Sequence, residues 1–140
     1  AGTALAMQAL APNCQLYLAE PAGADDAARS FARGVLDHDV VPDTICDGLR
    51  AGIGAINFDI IRSCNARVLT VDDTQTITAM RLLWSRGKHV VEPSSATVLA
   101  AVLANPALFE GRKVGLILSG GNVDLDALPQ LFALAPASAA

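Results

Sequence analysis

The stretch ARVLTVDDTQTITAMRLLWSRG, residues 66–87, decides how this chain is read. Its first six residues form a short apolar run of the kind that makes a buried strand. Asp72 or Asp73 then offers a side-chain oxygen to the exposed N–H groups of a helix start. Ile77, Met80, Leu83 and Trp84 follow at helical spacing on neighbouring faces, and Gly87 stands where such a helix ends. A strand feeding directly into a helix is half of a parallel crossover unit, because parallel strands need a long connection between them.

The same alternation extends in both directions. Upstream, residues 53–64 carry Ile53, Ile56, Ile60 and Ile61 at helical spacing, after a turn at Asp47-Gly48. Residues 24–32 predict a helix with Asp25 and Asp26 in its first turn, where carboxylates complement the helix dipole, and with Gly34 as its C-terminal cap. Residues 35–43 are a loop. QLYLA, residues 15–19, predicts a strand. Residues 1–10 predict a helix of small residues, closed by Ala11-Pro12-Asn13. Downstream, residues 89–91 and KVGLIL, residues 113–118, predict strands. Between them lies a helix capped by Ser94 or Ser95 and stopped by Asn105-Pro106. Residues 124–132 predict a last short helix, and the Ala/Pro/Ser-rich tail from 133 is expected to be frayed and flexible. No internal repeat or second domain is visible.

Composition narrows the function classes. The chain has 140 residues, 52% hydrophobic, with a net charge of −4 and a mean hydropathy of +0.40. Charged residues are 17%, below the roughly one quarter usual for a soluble domain. This predicts that part of the surface is covered by something else. No basic stripe exists to meet nucleic acid. No run reaches the roughly 18 apolar residues of a membrane span. Cys14, Cys46 and Cys64 fit no zinc pattern, and reduced thiols in a cytoplasmic protein are expected. The chain begins Ala-Gly-Thr without a signal peptide. A start inside a helical pattern is read as that of a cut chain.

Ligands of open parallel sheets bind beyond the carboxyl ends of the strands. Glu20, Glu92 and Ser119 are expected at such ends, although polar strand-to-loop transitions are common. Ser119-Gly120-Gly121-Asn122 is the sharpest local feature. Two glycines let the backbone turn tightly and approach a ligand. A bare Gly-Gly is more often a plain turn, and the pattern is neither a Walker A loop nor a dinucleotide fingerprint. Glu20, Asp25 and Asp26 lie within a seven-residue span and suit a hard cation. Two dipole-complementing aspartates are the simpler reading. Asp47 lines a site or caps a helix. His38 and His89 have no partners at ligand spacing.

In order, the chain carries Glu20-Pro-Ala-Gly-Ala-Asp-Asp26, Asp47-Gly48, Val91-Glu92-Pro93-Ser94 and Leu118-Ser119-Gly120-Gly121-Asn122-Val123-Asp124. The ordered set resembles the pyridoxal-phosphate (PLP) enzymes of the serine/threonine dehydratase and serine racemase group, from the first residues to about Pro129. The resemblance implies an α/β fold: an incomplete part of the parallel-sheet large domain of fold type II, the tryptophan synthase β-like type. Residues 1–132 would be its C-terminal segment. It implies that Ser119 meets the pyridine nitrogen of PLP, that Gly120 lies under the ring, that Gly48 and Glu92 lie close to the cofactor, and that Asp47 lines the active site. It implies a divalent-cation site, for Mg²⁺, Ca²⁺ or Mn²⁺, from Glu20, the carbonyl of Ala24, and Asp26. A serine at the ring nitrogen holds it less protonated than an aspartate would, which favours β-elimination over transamination.

The family's anchoring lysine belongs to a Ser-Phe-Lys-like motif. Here the only lysines are Lys88 and Lys113, and neither has that context, so no catalytic residue is assigned within this chain. Two positions depart from the family pattern. Cys46 stands where relatives carry a small residue, and Ala51 where the racemase has a serine near the substrate. The expected activity of the intact protein is loss of water and ammonia from a small β-hydroxy amino acid such as serine or threonine. An amino-acid racemase or a non-catalytic α/β module are the alternatives. A cytoplasmic homodimer acting on a small amino acid is expected, and this chain alone is expected to be inactive.

Overall fold

A computed structural model describes residues 1–37, 39 and 41–135; His38, read as having no partner at ligand spacing, falls outside them. The apolar run that opens the deciding stretch pairs with the run QLYLA and its extension, in the parallel sense expected. β1 (Tyr17–Pro21) lies parallel to β2 (Arg67–Val71), in register from Tyr17 opposite Arg67 to Pro21 opposite Val71. The chain between them supplies the crossover through α2 (Asp26–Arg33) and α3 (Ala55–Ser63). β1 is shifted two residues towards its carboxyl end from the predicted run. Glu20 therefore sits inside the strand opposite Thr70, not beyond it.

α1 (Gly2–Leu10) precedes β1, and α4 (Asp73–Leu82) follows β2. Asp72 is the cap: its carboxylate accepts from the Gln75 N–H at 2.7 Å, and Gln75 returns a bond to the Asp72 N–H at 3.0 Å. Such reciprocal capping satisfies two helix-end donors at once. Asp73 is thereby released to accept from Thr44 and from the Ile45 N–H, pinning the loop before Asp47. Beyond Leu82 the helix widens into a π-helical turn, Leu83–Gly87. Lys88, not Gly87, takes the left-handed position after it, with φ 58°.

α5 (Pro93–Ala104) packs against α4 and both strands. Its buried face is mostly small, with Ala96, Ala100 and Ala101, so Ile77 and Met80 of α4 reach it and are fully buried. Each such side chain contributes about 1.5–3 kcal/mol by leaving water. Val71 and Val91 complete this core. α6 (Pro106–Phe109) is a short helix that the sequence reading missed. α7 (Leu128–Ala133) docks on α4 through Arg81, which lies 4.5 Å over the Phe132 ring and donates to the carbonyls of Phe132 and Ala135.

Two predicted strands do not form. Residues 89–91 and 113–118 join no ladder among the described residues, where the sheet has only β1 and β2. A strand exists only through hydrogen bonds to a neighbour. Here the one backbone–backbone bond between the segments that follow them, among the described residues, runs from the Glu92 N–H to the Gly120 carbonyl at 3.1 Å. Residues 113–117 are exposed, with Ile117 at 61%. Glu92 and Ser119 thus do not stand at the ends of paired strands.

Candidate active site

The start of α5 organises the site. Pro93 occupies the first helical position, where a missing N–H costs nothing. The Glu92 carbonyl receives the N–H groups of Ser95 and Ala96. The expected capping role of Ser94 or Ser95 is therefore not what the structure shows: Glu92 is the cap residue, and no side chain bonds the helix end. The two hydroxyls point to other partners. The Gly48 N–H donates to Ser94 Oγ at 3.0 Å, and the Gly120 N–H to Ser95 Oγ at 3.4 Å. The Glu92 carboxylate receives the Asn122 N–H at 2.9 Å.

Three of the sequence-predicted residues are thus brought together: Gly48, Glu92 and Gly120. A side chain at either glycine would press on these neighbours. A Cβ on Gly120 would stand 2.5 Å from Glu92 Cδ, and one on Gly48 would stand 3.0 Å from Ser94 Oγ and 3.5 Å from Glu92 Oε1. Asp47 is exposed, and its carboxylate accepts its neighbour's N–H, from Gly48, at 2.8 Å. Ser119 is exposed and lines an open cavity of about 370 Å³ together with Gly120, Gly121, Leu118 and residues 88–91. Lys88 lines this cavity too, but its Nζ is bonded to the Ser85 carbonyl at 2.7 Å. The segment 88–91 is held from behind by Trp84, whose indole N–H donates to the Val91 carbonyl at 2.9 Å.

A second cavity, of about 210 Å³, lies across the Gly48 turn, between the strands, α2 and residues 48–53. Glu20 and Ala51 line it. Glu20 bonds the N–H groups of Ala27 and Ala28 at 3.1 and 2.8 Å, and so closes the start of α2. Burial pushes its carboxyl up to about 7. The two backbone bonds oppose this, and the charges of Asp26 and Asp25 add to it. Asp26 is 2% exposed and accepts the Ile53 N–H at 2.7 Å. Ala24 is buried beside them. Among the described residues no group of three or more His, Cys, Asp or Glu side chains could hold a metal. Glu20 and Asp26 act here as acceptors for backbone N–H groups. Cys46 is fully buried beside Thr44 and Thr76, and burial pushes its thiol up to about 11.

With this geometry in place, the family is plain. The chain belongs to the family of pyridoxal-phosphate dependent enzymes, whose model matches residues 1–120. It is 42% identical to the beta-hydroxyaspartate dehydratase of Paracoccus denitrificans over 128 residues, 91% of this chain and 41% of that protein. The structure of maize serine racemase superposes with a TM-score of 0.85 at 42% identity, covering 94% of this chain and 42% of that one. The T.th. threonine deaminase superposes at 0.83 with 40% identity, covering 89% and 46%. The α/β fold is that of the fold-type-II members, and the chain spans about two fifths of the length of the relatives it matches. Ser94 and Ser95 bond the Gly48 and Gly120 turns, whereas the sequence reading gave their hydroxyls to capping, with Ser94 also part of the Glu92-Pro93-Ser94 motif. Their signal was two hydroxyls directly after Glu92-Pro93.

The residues present fit one wall of a PLP site. Ser119 offers a hydroxyl that has no hydrogen-bond partner among the described residues, and it lines the open cavity beside Gly120 and Gly121. For the cation, the Glu20 carboxyl is raised by burial first and by the charges of Asp26 and Asp25 after it, and among the described residues no set of three ligating side chains is present. Holding a cation would require Glu20 to give up a helix N–H.

Proposed function

We propose that residues 1–132 are the C-terminal segment of the catalytic domain of a PLP-dependent ammonia-lyase. The substrate would be a small β-hydroxy amino acid such as serine, threonine or 3-hydroxyaspartate, and the product a 2-oxo acid with ammonia. The observation that carries this is the meeting of Gly48, Glu92 and Gly120, one from each of three separate motifs. When bound, PLP supplies an electron sink for bond breaking at the amino acid's α- and β-carbons. Ser119 would accept or donate one hydrogen bond at the ring nitrogen. Gly120 would belong to the loop under the ring, Glu92 would fix the turn that carries Ser119, and Asp47 would line the substrate side. The serine racemase likeness supports amino-acid racemisation as the second reading.

In this reading the intact protein is a cytoplasmic homodimer without nucleic-acid or membrane partners. No helix of the described residues is long and apolar enough to cross a membrane, and Cys14, Cys46 and Cys64 are free thiols. The chain of residues 1–140 is inactive alone, because Lys88 is tied back to Ser85 and Lys113 lies in the exposed run. The tail read from residue 133 is not free at its start, since Ala133 ends α7 and Ala135 is buried in the core; residues 136–140 lie outside the described residues. The test assays the intact polypeptide, its Ser119→Ala variant and residues 1–140 side by side for 2-oxo acid, D-amino acid and retained PLP. Turnover should fall more than retention in Ser119→Ala, since one hydrogen bond contributes only about 0.5–1.5 kcal/mol to binding. Full turnover with shed cofactor would overturn the role of Ser119. A D-isomer as the main product would favour the racemase.

We further propose that Glu20, Asp26 and the Ala24 carbonyl bind Mg²⁺, Ca²⁺ or Mn²⁺ in the intact protein, as a structural brace. Free metal at a hundredfold its Kd contributes about 2.7 kcal/mol, or about 5–10 °C in Tm. Glu20→Ala and Asp26→Ala should abolish that metal-dependent shift, and Asp25→Ala should keep it. Equal shifts in all three would leave backbone capping as the sole role of these carboxylates.

A further inference from the structure

We infer that Ser94 and Ser95 are positioning residues, two adjacent hydroxyls that reference both glycine turns of the site to one rigid helix end. The inference rests on the proposed PLP site and goes beyond it by naming what sets the distance between its two sides. Neither hydroxyl is spent on capping: the helix start is closed by the Glu92 carbonyl and by Pro93. Ser94 instead accepts the Gly48 N–H at 3.0 Å, a donor shared with Asp47 Oδ1 at 2.8 Å. Ser95, 6% exposed, accepts the Gly120 N–H at 3.4 Å. One turn carries Asp47 and leads to Ala51; the other carries Ser119.

The helix itself cannot drift. Its face below the serines is anchored by Ala96, Ala100 and Ala101 in the core. A site held on a rigid element keeps its geometry better than one held by loops. The two turns come from chain segments about 70 residues apart, so nothing local fixes their separation. Adjacent residues on one helix do. Of the two contacts, that of Ser94 is the shorter, and it makes the sharper test.

Ser94→Val keeps the shape of Ser94→Thr but lacks the hydroxyl. In the cofactor-free intact protein, amide exchange in the peptide 44–52 should quicken about fivefold in Ser94→Val, the worth of roughly one hydrogen bond. Ser94→Thr should exchange like the parent. In the loaded protein, KM should rise about fivefold in Ser94→Val with kcat and PLP retention nearly unchanged, and Thr should restore it. If Ser94→Val does not fold, Ser94→Ala serves under the same criteria. Equal exchange in Val and Thr variants overturns the inference, as does a KM that fails to follow the hydroxyl in an active parent. A parent that binds no PLP refutes the proposed function instead, and the exchange measurement still decides the role of Ser94.

Discussion

β2 and the run 113–118 are made of similar material, RVLTV against KVGLIL, and end in opposite circumstances. Val71 closes β2 at 1% exposure, under α4 and α5, with β1 bonded along its side. Ile117 is 61% exposed and its neighbours join no ladder among the described residues. An apolar, β-branched run makes a strand available; a bonded neighbour and a covering layer make it a strand. The difference lies in the partner and not in the run.

The comparison breaks most decisively under a matched charge. Val71→Asp should cost about 4 kcal/mol or more, because an unpaired carboxylate would enter the core. Ile117→Asp should stay within about 0.5 kcal/mol, as exposed substitutions do. Urea unfolding of the 140-residue chain measures both, and equal losses would abolish the distinction. In the intact polypeptide the same pair reads whether the run gains a cover: Ile117→Asp would then become costly while Val71→Asp stays as it was.

Two glycines sharpen the contrast at smaller scale. Gly120→Ala must displace the Glu92 carboxylate, which then loses the Asn122 N–H, a cost of about 1–3 kcal/mol for a bond to a charged acceptor. Gly115, within the exposed run, has nothing near its would-be Cβ, and Gly115→Ala should change stability by less than about 1 kcal/mol, in the stabilising direction. Unfolding midpoints that move equally would show that Glu92 relaxes freely and fixes no turn.

The smallest effect concerns thiols. Cys46 is buried with its thiol pushed up to about 11 from an ordinary value of 9.0, whereas Cys14 is exposed. Alkylation at pH 8 should label Cys14 and spare Cys46 until the protein is unfolded. The folded state holds the Cys46 proton more tightly than the unfolded chain. This contribution to stability is therefore complete below pH 9 and is lost as pH rises from about 9 to about 11. Labelling of Cys46 at the rate of Cys14 would place it outside the core. Its burial beside Thr44 and Thr76 also makes the departure at position 46 a packing choice and not a change in the site lining.

Local signals were legible wherever a neighbour in sequence did the physical work. The helices around Ile77 and Ile61, a cap at Asp72 or Asp73 and the stop at Asn105-Pro106 each depend on residues close in sequence. The parallel pairing of β1 and β2 followed from the helices between them. The site was legible as an ordered set of motifs, and three of its members, Gly48, Glu92 and Gly120, do meet. What could not be read was which polar group serves which partner. Ser94 and Ser95 look like caps in any sequence, and Asp73 looks as good a cap as Asp72.

By itself, then, the amino-acid sequence determined the alternation of strand and helix, the parallel sense of the pair, and the family, through motifs whose order and spacing are fixed along one dimension. Tertiary structure alone decided that residues 89–91 and 113–118 join no ladder among the described residues, that Glu20 lies within a strand and closes α2, and that two serines hold two glycine turns. Hydrogen bonds between residues 46 or 25 positions apart depend on where the core sets α5, and no periodicity along the chain records that distance.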